Sequence, residues 1–359
     1  MDFVIWIFII MLKVGIVGLP NAGKSTLFNA LIDKPKAMVA AHPFTTIDKN
    51  IGVVNVPDET LFQLAKIEKI DKVTPTTITF VDIAGLIKGA SQGEGLGNQF
   101  LHHIREVDLI LHLVRFFKDE KVAHVHAKID PEEDLAVVNE ELLLADLQSL
   151  EKKSKTEKIS TEQQQLINKV RDWLNQGKQA SQIFLTNEER EFIKTLNLLT
   201  TKKQFLIANI GEEEINQLAK KINGQPVLSV CAQLEAELNE LAWVDQQKFL
   251  KDMGLEKTLK EKIIKESYQA LDIITFYTIA KRAEARAWTL RRGGMAVEAA
   301  GKIHTDFVKN FIKAEAINAK NLIEVGSWHK AHEMGKIGLH GKEYLVQNQD
   351  VLEIKAGVK

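Results

Sequence analysis

The amino-acid sequence predicts an α/β fold with a mostly parallel sheet, followed by a small C-terminal α+β domain. Three observations lead to this prediction. Short apolar runs rich in Val and Ile recur with helical patterns between them. A long helical pattern without Gly or Pro interrupts this alternation, and the last part of the chain alternates aromatic and aliphatic residues around turn signals. At 359 residues the chain has room for two or three domains.

Five apolar runs are the predicted strands of the α/β domain. Short runs separated by helical patterns are typical of a sheet whose strands run mostly parallel. The runs occupy residues 12–18, 77–83, 108–114, 204–208 and 226–230. They place this domain over residues 11–131 and 201–272, in two parts of the sequence.

Residues 132–200 separate the two parts. Leucines recur there at helical spacing, and a charged stretch at 152–158 precedes a second helical pattern. We therefore expect a helical hairpin inserted into the α/β domain. The alternative is a single long helix on the surface.

Residues 273–357 have a different pattern. Residues 272–279 alternate Thr, Phe and Tyr with aliphatic residues, Gly293 and Gly294 signal a turn, and 343–355 predict two short strands around a polar turn. These features predict a separate small domain, either α+β or of the β-grasp type.

Composition and the N-terminus exclude several classes of protein. With 47 basic and 48 acidic residues the chain is neither polybasic nor polyacidic, and the single Cys231 excludes a disulfide-built secreted fold. Residues 3–12 form an apolar run about half as long as a membrane-spanning helix, without the flanks of a signal peptide. We expect residues 1–10 to be a mis-assigned start or an unstructured extension, with Met11 as a possible initiator.

A phosphate-binding motif lies between the first predicted strand and helix. Residues 18–25, Gly-Leu-Pro-Asn-Ala-Gly-Lys-Ser, match G-x-x-x-x-G-K-[ST]. Glycines let the backbone N–H groups approach phosphates, a lysine adds a point charge, and a serine hydroxyl can ligate Mg²⁺. The predicted nucleotide-binding residues here are Asn21, Ala22, Gly23, Lys24, Ser25 and Thr26.

Two later segments complete a predicted triphosphate and metal site. Asp82 ends a predicted strand, where it can hold Mg²⁺ through water, and the Gly85 N–H can meet the γ-phosphate. The glycine-rich stretch 85–97 is suited to a loop that orders on that phosphate. Thr46 is the favoured further Mg²⁺ ligand, and Thr45 is the alternative.

The base-recognition segment departs from that of GTPases. Residues 209–212 are Asn-Ile-Gly-Glu, where GTPases have N-K-x-D, whose Asp accepts two hydrogen bonds from guanine. The longer Glu212 would miss that geometry, so ATP is the expected substrate. Asn209 and the Cys231–Ala232 pair after the next strand are predicted to contact the base, although Cys231 can equally be a small buried residue.

The hydrolytic group is not evident from the motifs. Leu86 follows the D-x-x-G segment at the position where Ras-type enzymes have a water-orienting Gln. His112 lies inside a predicted strand, and the residues alone favour a buried core histidine.

From Met11 onward the chain resembles the YchF / Obg-like ATPase family of P-loop proteins. The resemblance is carried by residues 15–31, 80–98, 287–289 and 298–307, and by the Asn209 to Glu212 departure. It implies a Ras-like domain, a helical coiled-coil insertion and a C-terminal TGS domain. It also implies hydrolysis of ATP in preference to GTP, with Lys24 and His112 as catalytic residues, Mg²⁺ as cofactor and K⁺ bound at Asn21.

The resemblance further implies a cytoplasmic protein that binds the ribosome, without membrane or DNA partners. The contact would involve the large subunit or the whole ribosome and its RNA, with a role in translation or stress regulation. Basic residues of the C-terminal region could form an RNA-binding face, although a mixed-charge surface explains them equally: Arg291, Arg292, Lys302, His304, Lys309 and Lys313. The rival functions are a true GTPase in ribosome assembly and an adaptor whose nucleotide is only structural.

Overall fold

The computed structural model describes residues 12–32, 50–83, 96–124, 128–156, 159–215, 220–241, 243–253, 258–280 and 283–357. The chain forms two compact units. The N-terminal unit consists of Leu12–Val54 and Thr79–Ile263, and the C-terminal unit contains Asn55–Ile78 and Ile264–Lys359. The predicted extension 1–10 lies outside the described residues.

The strands and helices are numbered in chain order. The strands are β1 (Leu12–Val17), β2 (Asn50–Asn55), β3 (Val73–Thr74), β4 (Thr77–Asp82), β5 (Leu109–Arg115), β6 (Lys203–Asn209), β7 (Lys221–Ile222), β8 (Gln225–Pro226), β9 (Leu228–Val230), β10 (Ile273–Ala280), β11 (Glu284–Arg291), β12 (Phe311–Asn318), β13 (Gly338–His340) and β14 (Asp350–Ala356). The helices are α1 (Lys24–Leu31), α2 (Glu59–Glu68), α3 (Leu96–Arg105), α4 (Pro131–Thr156), α5 (Thr161–Asn175), α6 (Asn187–Thr195), α7 (Ala232–Leu238), α8 (Trp243–Asp252), α9 (Leu259–Leu271), α10 (Ala296–Ile303), α11 (Thr305–Lys309), α12 (Ala319–Val325) and α13 (Trp328–Glu333).

The N-terminal unit is built on a sheet with strand order β2-β4-β1-β5-β6-β9. The β1–β5, β5–β6 and β6–β9 pairs are parallel, which confirms the predicted α/β class. Every residue of β5 is buried, as expected for a central strand covered on both faces. Because the carboxyl ends of parallel strands meet at one edge, the loops after β1, β5, β6 and β9 converge there.

Helix α4 packs into two apolar clusters of the N-terminal unit. Val138 and Leu142, in its first half, pack into one core with Val17 and Ile110 of the sheet. Leu150, in its second half, packs with residues of α5 and α6. Helices therefore occupy much of the predicted insertion 132–200, but the first half of α4 is part of the core of the α/β sheet.

Local sequence signals define the ends of the inserted helices. Ser160 and Gln163 form a reciprocal capping box at the start of α5, with hydrogen bonds of 3.2 and 3.1 Å. The segment that leads from the inserted helices back to β6 is held by Asp146, a fully buried carboxylate of α4. It accepts hydrogen bonds from the backbone N–H groups of Leu199 and Thr200, and from the Thr200 hydroxyl, at 2.7 to 2.8 Å.

The C-terminal unit has a mixed sheet with strand order β13-β12-β14-β10-β11-β3. Helix α10 supplies Ala296, Ala299 and Ala300 to one apolar cluster, and α2 supplies Leu61 and Leu64 to another. The predicted boundaries assign residues 55–78 to the first domain. In the structure α2 and β3 from this segment belong to the C-terminal unit, since β3 pairs with β11.

One predicted strand pair near the C-terminus is wrong. Residues 343–355 contribute one strand, β14, and not two. Leu345 makes only an isolated bridge with Met295, because the chain there folds back to the start of α10. Among the described residues, no helix is long and apolar enough to cross a membrane.

Candidate nucleotide-binding site

Two glycines allow the loop between β1 and α1 to lie against neighbouring backbone. A Cβ atom at Gly18 would collide with the Leu113 carbonyl oxygen of β5. Gly23 has a φ of 95°, and a Cβ atom there would collide with the Asn209 side-chain amide. The predicted phosphate-binding residues therefore form a tight loop that ends at the N-terminus of α1.

Lys24 is a buried cation at the start of α1. Its side chain is 7% exposed, and Nζ donates a hydrogen bond of 2.8 Å to the Leu19 carbonyl oxygen. Burial lowers the pKa of Lys24 to about 8, while the Asp82 carboxylate acts in the opposite direction. The loop thus holds a positive charge that has lost much of its hydration and is suited to an anion.

Ser25 and Asp82 form the pair predicted to hold a metal. The Ser25 hydroxyl donates a hydrogen bond of 2.8 Å to Asp82 Oδ2, and the Asn50 side-chain amide lies 3.4 Å from the same oxygen. A hydroxyl beside a carboxylate at the phosphate-binding loop is a set of hard oxygen ligands, which fits Mg²⁺. The predicted ligand Thr46, its alternative Thr45, and Gly85 with Leu86 lie outside the described residues.

A cleft of about 550 Å³ opens at the carboxyl edge of the sheet, beside this loop. Its lining combines the phosphate-binding loop with the segments that follow β5, β6 and β9. The lining residues are Asn21, Gly23, Lys24, Ser25, Thr26, Phe117, Lys118, Asp119, Val122, Asn209, Ile210, Gly211, Glu212, Glu213, Cys231, Ala232 and Gln233. The structure thus brings together most of the nucleotide-binding residues that the sequence predicts.

Asn209 connects the loops that form the cleft. Its side-chain Nδ2 donates to the Ala22 carbonyl oxygen at 2.9 Å, and its Oδ1 accepts from the Ala232 N–H at 3.1 Å. The side chain of this residue therefore braces the phosphate-binding loop against the N-terminus of α7. Its predicted contact with the base stays a prediction.

Glu212 and Cys231 line the part of the cleft that the sequence predicts to hold the base, called the base end below. Glu212 begins a short 3₁₀ turn, Glu212–Glu214, directly after Gly211. Cys231 precedes α7, and burial raises the pKa of its thiol, which makes it a poor nucleophile.

His112 does not line the cleft. It is 1% exposed within β5, and burial, with a smaller effect of the Lys24 charge, lowers its pKa to about 4. Its Nδ1 has no hydrogen-bond partner among the described residues. A hydrolytic role for His112 stays a prediction; the imidazole is buried, and its lowered pKa favours the neutral form at pH 7.

The sequence motifs missed one wall of the cleft. Phe117, Lys118, Asp119 and Val122 line it, yet they belong to no nucleotide-binding motif. The sequence feature that could have predicted them is their position directly after the carboxyl end of a predicted parallel strand.

Two family models match the chain. The model of the YchF GTPase C-terminal family, described as a protein of unknown function, matches residues 273–357. The model described as a 50S ribosome-binding GTPase matches residues 13–144.

Curated relatives and a solved structure match almost the whole chain. The ribosome-binding ATPase YchF of Bacillus subtilis (strain 168) is 41% identical over 97% of this chain and 100% of that protein. The protein of the same name from Escherichia coli O157:H7 is 42% identical over 95% of this chain and 98% of its own length. The structure of the Schizosaccharomyces pombe YchF GTPase has a TM-score of 0.81 and 34% identity, and the match covers 96% of this chain and 98% of that one. With this identity over nearly the full length of both sequences, the chain belongs to the YchF family.

Proposed function

We propose that the chain is a Mg²⁺-dependent ATPase whose nucleotide state controls binding to the ribosome. The observation that carries the proposal is the cleft itself. It joins a buried P-loop lysine, Lys24, to a base end that contains Glu212 in place of a guanine-reading Asp. The curated relatives are named ribosome-binding ATPases, which supports both the reaction and the partner.

The phosphate end supplies charge and positioning. Lys24 and the N–H groups at the start of α1 bind and orient the phosphates, and the lysine stabilises the charge that develops on the transferred group. Ser25 and Asp82 would hold Mg²⁺, which neutralises phosphate charge when bound. Asn21 lines the same end and is the proposed K⁺ ligand.

We retain His112 as the proposed hydrolytic residue. A group that orients water must reach the solvent-filled cleft. Because the imidazole is buried in β5, its participation requires a rearrangement that exposes it. We therefore expect slow basal turnover that a partner stimulates.

The preference for ATP rests on Glu212. A carboxylate accepts hydrogen bonds only, and N1 of adenine is an acceptor, whereas guanine presents donors at N1 and N2. A glutamate, one methylene longer than the aspartate of GTPases, does not reproduce the bidentate geometry for guanine. The cleft therefore loses the feature that makes GTP the better ligand.

The proposed partner is the ribosome, through its large subunit or the whole particle, with a role in translation or stress regulation. The match to the 50S ribosome-binding GTPase model supports this partner. The proposed RNA face of the C-terminal unit is partly neutralised. Arg292 pairs with Asp272 at 2.8 Å, and Lys313 pairs with Glu315 at 3.1 Å.

Co-sedimentation with ribosomes tests the proposal. The protein is spun with ribosomes and Mg²⁺ in the presence of ATP, ADP, GTP or a non-hydrolysable ATP analogue. We expect the pelleted fraction to differ between ADP and the analogue, with ATP competing better than GTP. Lys24→Ala should lose this response, while the exposed-lysine control Lys251→Ala should keep it. If the pelleted fraction is the same with every nucleotide, the protein is an adaptor whose nucleotide is only structural. A preference for GTP over ATP would indicate a true GTPase.

A further inference from the structure

We propose that Arg115 is the positioning residue that shapes the base end of the nucleotide cleft. It acts through the cleft wall, defined here as residues 116–123. The inference rests on the proposed function, since it concerns how the same cleft selects and holds a nucleotide. No sequence motif marks this arginine.

Arg115 is a cation in the interior of the N-terminal unit. It is the last residue of β5, and it is 2% exposed. A guanidinium carries five N–H donors in a fixed fork and stays charged at any pH a protein experiences. A buried group of this kind must be satisfied by hydrogen bonds, so its partners indicate what it holds in place.

Within the described part of the chain, this guanidinium donates four hydrogen bonds, and all of them end on carbonyl oxygens of the cleft wall. Nε donates to Phe117 at 3.2 Å, and Nη1 donates to Ala123 at 3.2 Å. Nη2 donates to Asp119 at 3.3 Å and to Val122 at 3.0 Å. One side chain thus draws together carbonyl groups from both ends of a short segment.

The same wall faces the nucleotide cleft. Phe117, Asp119 and Val122 line the cleft while their carbonyl groups accept from the arginine. The guanidinium carbon also lies 4.3 Å from the centre of the Phe117 ring, which fixes that ring by a cation–π contact. The arginine therefore sets the position of an aromatic surface that a planar base can contact, without lining the cleft itself.

Two further contacts connect the wall to both halves of the predicted site. The Asn21 side-chain amide donates to the Ala123 carbonyl oxygen at 3.1 Å. The N–H groups of Phe116 and Phe117 donate to the Asn209 carbonyl oxygen at 2.8 and 3.0 Å. The wall is thus held between the phosphate-binding loop and the base-recognition segment, with Arg115 at its centre.

Two variants, Arg115→Lys and Arg115→Met, distinguish a positioning role of this arginine from a general role in folding. A lysine keeps the charge, but its single ammonium cannot reach carbonyl groups spread along the segment. Methionine fills similar volume without donors. The matched control is Arg105→Lys, since Arg105 also donates to a backbone carbonyl, that of Asn197, and does not line this cleft.

The ligands are Mg²⁺·ADP, which engages both ends of the cleft, and tripolyphosphate, which engages only the phosphate end. We expect both Arg115 variants to bind Mg²⁺·ADP at least tenfold more weakly and tripolyphosphate within twofold of wild type. In steady state, Arg115→Lys should raise KM for ATP with little change in kcat. Arg105→Lys should leave both affinities unchanged.

A double variant tests whether the arginine acts through the wall. Phe117→Leu alone should weaken Mg²⁺·ADP binding. Arg115→Lys should then weaken binding much less in the Phe117→Leu background than it does in wild type. Additive losses would overturn the proposal. Equal affinity of wild type and Arg115 variants for Mg²⁺·ADP would also overturn it. Loss of tripolyphosphate binding together with ADP would show a general role in folding and refute positioning. If wild type itself binds no ATP, the proposed function fails instead.

Discussion

Replacing Lys24 with methionine should make the nucleotide-free protein more stable while abolishing nucleotide binding. The lysine is 7% exposed and its pKa is lowered from 10.5 to about 8. A shift of this size corresponds to about 3 kcal/mol of destabilisation at pH 7, at about 1.4 kcal/mol per pKa unit. Methionine keeps the length of the buried stem and removes the charge, so Lys24→Met should gain up to about 3 kcal/mol.

The gain should depend on pH in a defined direction. The lysine has a lower pKa in the folded state, so the unfolded chain binds more protons between pH 8 and pH 10.5. The stability of wild type should therefore rise through this window. The cost of the charge is fully present below pH 8, and the advantage of Lys24→Met should disappear toward pH 10.5.

Urea unfolding of both proteins in EDTA, at pH 7 and pH 10.5, measures this effect. The exposed control Lys251→Met should differ from wild type by less than about 0.5 kcal/mol at either pH. In a parallel series without EDTA, Mg²⁺·ADP should stabilise wild type but not Lys24→Met. If Lys24→Met is less stable than wild type at pH 7, or if its gain in stability is the same at both pH values, burial of the lysine charge does not destabilise the fold.

Three further substitutions test the base end, the core and the buried imidazole. Glu212→Asp should raise the affinity for GTP relative to ATP by about tenfold, because it restores the bidentate acceptor of GTPases; an unchanged ratio in competition binding would contradict the role of Glu212. Asp146→Ala should lower the free energy of unfolding by about 3 kcal/mol, since it leaves buried donors unpaired, whereas the exposed control Asp172→Ala should have little effect. The free energy of unfolding of wild type should fall by about 3 kcal/mol between pH 7 and pH 4, because burial lowers the pKa of His112 from 6.5 to about 4 and only the unfolded chain takes up the proton in this range. Acid unfolding of His112→Leu should lack this component, and an identical pH dependence would contradict the buried, neutral imidazole.

In the sheet of the N-terminal unit the sequence predicts five of the six strands and misses β2, which lies at one edge. The β5 run is continuous and apolar because all its residues are covered. Strand β2 has no such run, since only two of its residues are buried. Edge strands that are half exposed lose the apolar signal, and their pairing depends on long-range contacts.

The assignment of α2 and β3 to the C-terminal unit also depends on long-range contacts. Val73 pairs with Ala285, more than two hundred residues later. Periodicity shows that Leu61 and Leu64 have an apolar partner, but it does not show which one.

The phosphate end of the site is predictable and the cleft wall is not. Phosphate and metal binding demand particular residue types at particular spacings, so the glycines, Lys24 and Ser25 form a recognisable motif. Residues 116–123 are placed by a side chain that holds their carbonyl groups, and carbonyl groups are common to every residue type. The wall therefore leaves no pattern in the sequence apart from its place after β5.

The decisive measurement is phosphate release from ATP and from GTP, followed side by side in the presence of Mg²⁺. We expect wild type to hydrolyse ATP with a lower KM than for GTP, and Lys24→Ala to hydrolyse neither. Faster turnover of GTP at equal concentration, or undiminished turnover of ATP by Lys24→Ala, would contradict this expectation.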